Sequence, residues 1–148
     1  MTIQITEMRL DDYDEAYALW QNCRGIGLSD ADSRCAIQRF LERNPGLCFI
    51  ARQNGTLVGT CLCGSDGRRG YLYHLAVDPS ARRQGIGQAL VDRTFTALHA
   101  LDIHKCHIMV FGENELGLAF WSGAGWKLRP EIVIMSYDLV QPEKDAAC

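Results

Sequence analysis

The run Arg82-Arg83-Gln84-Gly85-Ile86-Gly87 has the residue types best suited to binding chemistry in this chain. Two guanidinium groups precede two glycines, and an apolar-periodic segment follows at once. The first turn of a helix offers free amides and the positive end of a dipole, and glycines let a phosphate approach the backbone. The run therefore reads as an anion receptor. Two nucleotide motifs are excluded by identity. A P-loop closes with Gly-Lys-Ser/Thr, whereas Gln88-Ala89 follows Gly87. A dinucleotide fingerprint needs a third glycine where Leu90 stands, and a tighter strand-helix turn than 78–84 allows. Groups able to move protons flank the run. Tyr71, Tyr73 and His74 lie upstream in YLYHLAVDP, and Glu113 lies downstream beside Asn114.

The seven cysteines invite a metal or disulfide reading, but they are scattered and odd in number, and no CxxC pair occurs. Cys61 and Cys63 share one face of a strand, and the set is expected to be buried free thiols in a reducing compartment. His104 and His107 flank Cys106. Their spacing places them on opposite faces of a strand, so no metal is expected.

These groups must be positioned by a framework that the periodicities outline. An alternating strand over 3–8 is followed by a helix over 13–23, which Asp11 and Asp12 would cap. Ser29 or Asp30 would cap a second helix over 31–42, ended by Asn44-Pro45-Gly46. Strands over 47–53 and 57–64 are joined by Asn54-Gly55, a strong hairpin signal. A further turn leads to the strand at Tyr71, which Asp78-Pro79 ends. Its alternation places Tyr71, Tyr73, Leu75 and Val77 on one face and His74 on the other. A helix over 85–101 and a strand over 105–111 complete a right-handed crossover, which makes the strands at Tyr71 and Lys105 parallel. A short helix over 115–123 follows, then closing strands over 126–128 and 132–139. The tail 141–148 is polar, and mobility is expected there.

The hydrophobic content of 47% and charged content of 22% are those of a globular chain with one core-forming domain. A net charge of -3 argues against broad nucleic-acid binding. Neither a signal peptide nor an apolar run of membrane-spanning length is present in the sequence, so a cytoplasmic location and no membrane partner are expected.

Taken together, Arg82 to Gly87 fits [Arg/Gln]-x-x-Gly-x-[Gly/Ala] after Leu75-Ala76-Val77-Asp78-Pro79. Asn114 follows the next strand, with Leu118-Ala119-Phe120-Trp121 and Gly125-Trp126 beyond it. On these residues the chain resembles the GNAT superfamily of acetyl-CoA-dependent N-acetyltransferases over 3–139. Ala119 departs slightly, since Gly117 or Leu118 is nearer the family's small-residue position. The resemblance implies an α+β fold, with a mixed, mainly antiparallel sheet, a splayed parallel strand pair and helices on both faces. It implies a domain over 1–140, the tail standing apart. The co-substrate would be acetyl-CoA, without a metal. Its pyrophosphate would lie on Arg82, Arg83, Gln84, Gly85, Ile86, Gly87 and Gln88. Its pantetheine arm would fill the splay beside Leu75, Ala76 and Val77, oriented by Asn114 and lined by Phe120.

The implied reaction is direct acetyl transfer to a primary amine of a small molecule or peptide. The family's frequent base is a glutamate on one of the splayed strands. Here Tyr71, Tyr73 and Met109 stand in those stretches. Tyr73, acting through a water, is the first candidate for a base and Glu113 the second, while simple sheet packing of the tyrosines is the alternative. The family's usual acid is a tyrosine where this chain has Trp121, which can donate an N–H or serve only as core. Arg24, Asp30 and Tyr71 are the candidate acceptor contacts. The alternative is that Asp30 caps a helix while Arg24, Asp32 and Arg34 are solvated. A homodimer is compatible with the sequence. The competing function is a non-catalytic acyl-CoA-binding or interaction domain.

Overall fold

The computed structural model describes residues 2–140. Five strands form one sheet: β1 Ile3–Glu7, β2 Phe49–Gln53, β3 Thr56–Ser65, β4 Gly70–Val77 and β5 Cys106–Ile108, in that spatial order. The first four pair antiparallel and β5 runs parallel to β4. The expected hairpin is present. Asn54 and Gly55 take φ of 52° and 79°, and Gln53 pairs with Thr56 across the two-residue turn. Left-handed conformation at both positions matches the strand twist.

Helices cover both faces of the sheet, as expected. On one face α1 (Tyr13–Gln21) and α2 (Arg34–Arg43) bury Ala16, Leu19, Trp20 and Ile37 against Ile50, Leu62 and Ala76. On the other, α3 (Ile86–Ala100) packs Leu90, Val91 and Leu98 over Ala51, Cys61 and Leu72, with Trp121 of α4 (Glu115–Gly123) in the same core. Alternation along β2 and β3 feeds both cores, because successive side chains leave a strand on opposite faces. Cys61 and Cys63 are both fully buried in the α3-side core. They are free thiols, as are Cys23, Cys48 and Cys106. Cys35 is disulfide-bonded, a departure from the expectation for the set.

Several boundaries move for physical reasons. Helix α2 begins later than expected because residues Asp30–Asp32 form a separate 3-10 turn, after which Ser33 accepts from the Ala36 amide and caps α2. Asp12 does not cap α1 through its side chain. Its carboxylate instead accepts from the Arg9 amide and from Arg52, each at 2.8 Å. Strand β5 is short because it pairs with β4 only from Gly70 to Leu72 before the two part. The closing strands expected over 126–128 and 132–139 do not form: among the described residues the segment after α4 carries no ladder pairing. No helix among the described residues is long and apolar enough to cross a membrane. The tail 141–148 lies outside the described residues.

Candidate active site

Strand β4 carries a bulge that strict alternation does not anticipate. Leu62 pairs with Tyr73 and Thr60 with Ala76, so His74 and Leu75 together stand opposite Cys61. His74 takes up the extra residue in a left-handed conformation, φ 49°, which is unusual for a residue with a Cβ. Its carbonyl accepts a 2.7 Å hydrogen bond from the buried Thr60 hydroxyl, which in turn accepts from the Trp20 indole N–H at 2.9 Å. The expectation that His74 and Tyr73 face opposite ways is therefore corrected. Tyr73 meets Phe40 of α2 with ring centroids 5.8 Å apart, and His74 meets Trp20 of α1 at 4.7 Å, both on the α1–α2 side. Leu75 and Val77 turn to the α3 side. Tyr73 and Leu75, expected on one face, are thus separated by the bulge.

His74 has a buried partner. Its Nε2 lies 2.6 Å from Asp32 Oδ1. The other Asp32 oxygen accepts the Ser29 amide at 2.9 Å, and the Asp32 carbonyl accepts from the Tyr13 hydroxyl at 2.6 Å. Asp32 is buried rather than solvated. The signal was legible as Ser29-x-x-Asp32, a capping-box spacing in which the acidic residue is held by backbone. A carboxylate only accepts, so this pairing places the ring proton on Nε2 and leaves Nδ1 as the basic nitrogen.

Across β4, the loop from Asp78 to Gly85 presents the start of α3. Asp78 accepts from the Ser80 amide and hydroxyl, which holds a short 3-10 turn over Pro79–Ala81. Arg83 and Gly85 then take left-handed φ of 64° and 76°. No side chain caps α3 at Gly85. Its first amides therefore remain open, as an anion cradle requires. Arg82, Arg83, Gln84 and Gln88 are exposed around it. Ile86, expected with them, is buried in the core and contributes backbone only. A β-carbon added at Gly87 would stand 3.6 Å from Val77 Cγ2, 3.7 Å from Phe120 Cζ and 3.9 Å from Leu75 Cδ2. Leu75, Val77, Gly87 and Phe120 thus converge between β4, α3 and α4, while Ala76 faces the α1–α2 core.

The remaining candidates divide. Asn114 accepts from the Gly117 amide at 3.0 Å and caps α4. Its amide also lies against Gly25, and Phe111 lies against Gly27, so the α1–α2 connection closes over the end of β5. Trp121 is buried, with its ring 5.1 Å from Phe120 and 4.9 Å from Trp126. Glu113 is exposed in the turn before α4, and Arg24 and Asp30 are exposed on the α1–α2 connection. Tyr71 is half-buried, with its ring 5.7 Å from His107. Burial first, then Tyr71 and Cys63, pushes the Tyr73 phenol above its ordinary pKa, so its proton is held firmly. No cluster of three metal-ligating side chains occurs among the described residues.

The comparisons agree with this geometry. The model of the acetyltransferase (GNAT) family matches residues 13–126. An acetyltransferase of Pectobacterium atrosepticum is 35% identical over 113 residues, covering 76% of this chain and 79% of that one. An acetyltransferase of Sodalis glossinidius is 29% identical over 142 residues, covering 96% and 99%. The crystal structure of the PaiA N-acetyltransferase of Thermoplasma acidophilum in complex with coenzyme A superposes with a TM-score of 0.77 at 19% identity, covering 87% of this chain and 92% of that one. With an uncapped helix start beside a splayed strand pair, and a family match across most of its length, the chain belongs to the GNAT family of acetyltransferases.

Proposed function

We propose that this acetyltransferase moves an acetyl group from acetyl-CoA directly to a primary amine of a small molecule or peptide. The observation that carries the reading is the open α3 start, with Gly85 in left-handed conformation, beside the gap where β4 and β5 part. The site fits the co-substrate: open amides for a pyrophosphate, exposed Arg82 and Arg83 for charge, and a peptide-like gap along Leu75 and Val77 for pantetheine. Bound there, acetyl-CoA supplies the thioester carbon.

The chain's own residues then divide the work. The Leu75 amide, at the bulge, is placed to polarise a carbonyl in the gap. His74, held through Nε2 by Asp32, takes the proton from the ammonium at Nδ1. As the amine nitrogen bonds to the acetyl carbon, the carbon–sulfur bond breaks, the sulfur leaves as thiolate, and the second proton of the attacking nitrogen passes to solvent water. A thiol of pKa ~8.5 leaves without obligatory protonation, so the burial of Trp121 is no obstacle. Tyr73 keeps its proton and serves as a hydrogen-bond donor at the site rather than as a base. Arg24 and Asp30, on the connection over β5, and Tyr71 form the acceptor's polar surroundings, and Glu113 lies at its rim.

The test has two readouts. Acetyl-CoA should raise the melting temperature, and Gly85→Glu should remove the shift, because it places a carboxylate at the anion cradle in a backbone conformation that disfavours side chains. Thioester loss is then followed across amino acids, polyamines and peptides at pH 8. An absent shift with the wild-type chain would overturn the donor assignment. A shift without turnover on any amine would overturn the transfer.

A further inference from the structure

Beside His74 the α1–α2 face of the sheet carries a row of rings. Tyr71 pairs with Gly64 of β3 on one side and with His107 of β5 on the other. A β-carbon at Gly64 would stand 3.1 Å from Phe40 Cε1 and Cζ of α2, so all three partners face the α1–α2 side. Tyr73, two residues on and before the bulge, faces the same way and meets the Phe40 ring edge-on, at 87°. The Tyr71 and His107 rings lie 5.7 Å apart with a tilt of 40°. Ile108 and Val110 pack on the α3-side core, so Met109 between them alternates onto the ring-bearing face, where it is 54% exposed. Tyr71, His107 and Met109 are packed into neither core. Together these side chains make an apolar floor that runs from Phe40 and Tyr73 to the point where β4 and β5 part.

Charge is kept off this floor. Neither β4 nor β5 contains a carboxylate, a lysine or an arginine. Burial, Tyr71 and Cys63 raise the Tyr73 pKa, and no carboxylate or guanidinium acts on it. Asp32, which faces this side, is spent on His74 and the Ser29 amide. The exposed charges Arg24, Asp30 and Glu113 stand on the α1–α2 connection and on the turn before α4. A second ammonium on an acceptor calls for a carboxylate, and an acceptor carboxylate calls for a guanidinium. A floor of rings and a thioether instead suits a flat apolar group, by ring packing and by sulfur contact. Ring faces also attract a single cation, which favours the reacting ammonium itself.

Given acetyl transfer to an amine at this site, on which the inference rests, we propose that the acceptor is an arylalkyl monoamine. Its ring lies on Tyr71, Tyr73, His107 and Met109, and its nitrogen points towards His74 and the β4–β5 gap. The Phe40 ring, seated in the space that Gly64 leaves, closes the floor on the α2 side. Selection is for an apolar ring near one nitrogen and against a second charge.

The experiment is calorimetric titration of the full chain, saturated with coenzyme A, with 2-phenylethylamine, propylamine and spermidine. Thioester loss from acetyl-CoA is followed with the same three amines. Burial of one ring should make 2-phenylethylamine bind about 10- to 100-fold more tightly than propylamine, with the same preference in kcat/KM. Spermidine should rank with propylamine. His107→Ala, and separately Met109→Ala, should bring the aryl-to-alkyl ratio down towards one, with far-UV circular dichroism unchanged. Equal binding of the three amines, a preference for spermidine, or binding of none overturns the inference; if the amines are nonetheless acetylated, the transfer reading survives without it. Aryl-selective binding with no turnover of any amine overturns the transfer and upholds the floor as an arylamine site. An aryl preference unchanged in both variants places the ring elsewhere and overturns the assignment. If a variant fails to fold, the wild-type ratios and the other variant still decide.

Discussion

Replacing Thr60 by valine should cost far more than its size suggests, and should do so through the site. Thr60 is fully buried, and its hydroxyl links the Trp20 indole to the His74 carbonyl at 2.9 and 2.7 Å. Valine keeps the shape but leaves both of those groups without this partner. Each buried polar group left unsatisfied costs about 1–3 kcal/mol. The added methyl contact returns about 0.8 kcal/mol. The net loss is therefore about 1–5 kcal/mol, or roughly 3–15 °C in melting temperature for a chain of this length. Thr60→Ser is the control: it keeps the hydroxyl, removes one methyl and should cost about 1 kcal/mol. Urea unfolding followed by tryptophan fluorescence and circular dichroism gives both values. Because the hydroxyl holds the bulge, Thr60→Val should also lower kcat in folded protein, whereas Thr60→Ser should not. Equal stabilities for the two variants would refute the idea that this hydroxyl pins β4.

Three other outcomes follow from particular contacts. His74→Asn should lower kcat at least ~10²-fold, the scale of general-base catalysis, while leaving the acetyl-CoA melting shift intact; an unchanged kcat would assign the base elsewhere. Gly70→Val should destabilise by about 1–3 kcal/mol through overpacking, since even a β-carbon there would stand 2.7 Å from Leu98 Cδ1 and 3.2 Å from Cys106 Sγ; unchanged urea unfolding would contradict that packing. Burial pushes the Cys48 and Cys61 thiols up to about 12. The folded state therefore binds these protons more tightly than the unfolded state, so their contribution is intact below pH ~8.5 and is lost as pH rises towards 12. Stability measured from pH 8 to 11 should fall, and Cys48→Ala with Cys61→Ala should flatten that slope; an unaltered slope would deny the thiols this role.

Local chemistry in the sequence was sufficient for most of the framework. Asn54-Gly55 specifies its hairpin because few residues tolerate two left-handed positions in succession. Asp78-Pro79 ends β4 because proline cannot donate to a ladder. The glycine-rich start of α3 is legible because an uncapped helix with left-handed Gly85 is encoded within a few residues. Even Asp32 was within reach, through its spacing from Ser29.

The tertiary structure decided where distant groups compete. His74 changes face because Thr60 and Trp20, from another strand and another helix, satisfy a bulge that alternation along β4 forbids. Asn114 spends its side-chain oxygen on the α4 start, a choice set by the turn around it. Residues 132–139 have the alternation of a strand, yet strand propensity names no partner, and among the described residues no strand pairs with them. Periodicity is a property of neighbouring residues and can be read along the chain. Pairing, and the direction a bulged side chain finally points, depend on surfaces that meet only after folding.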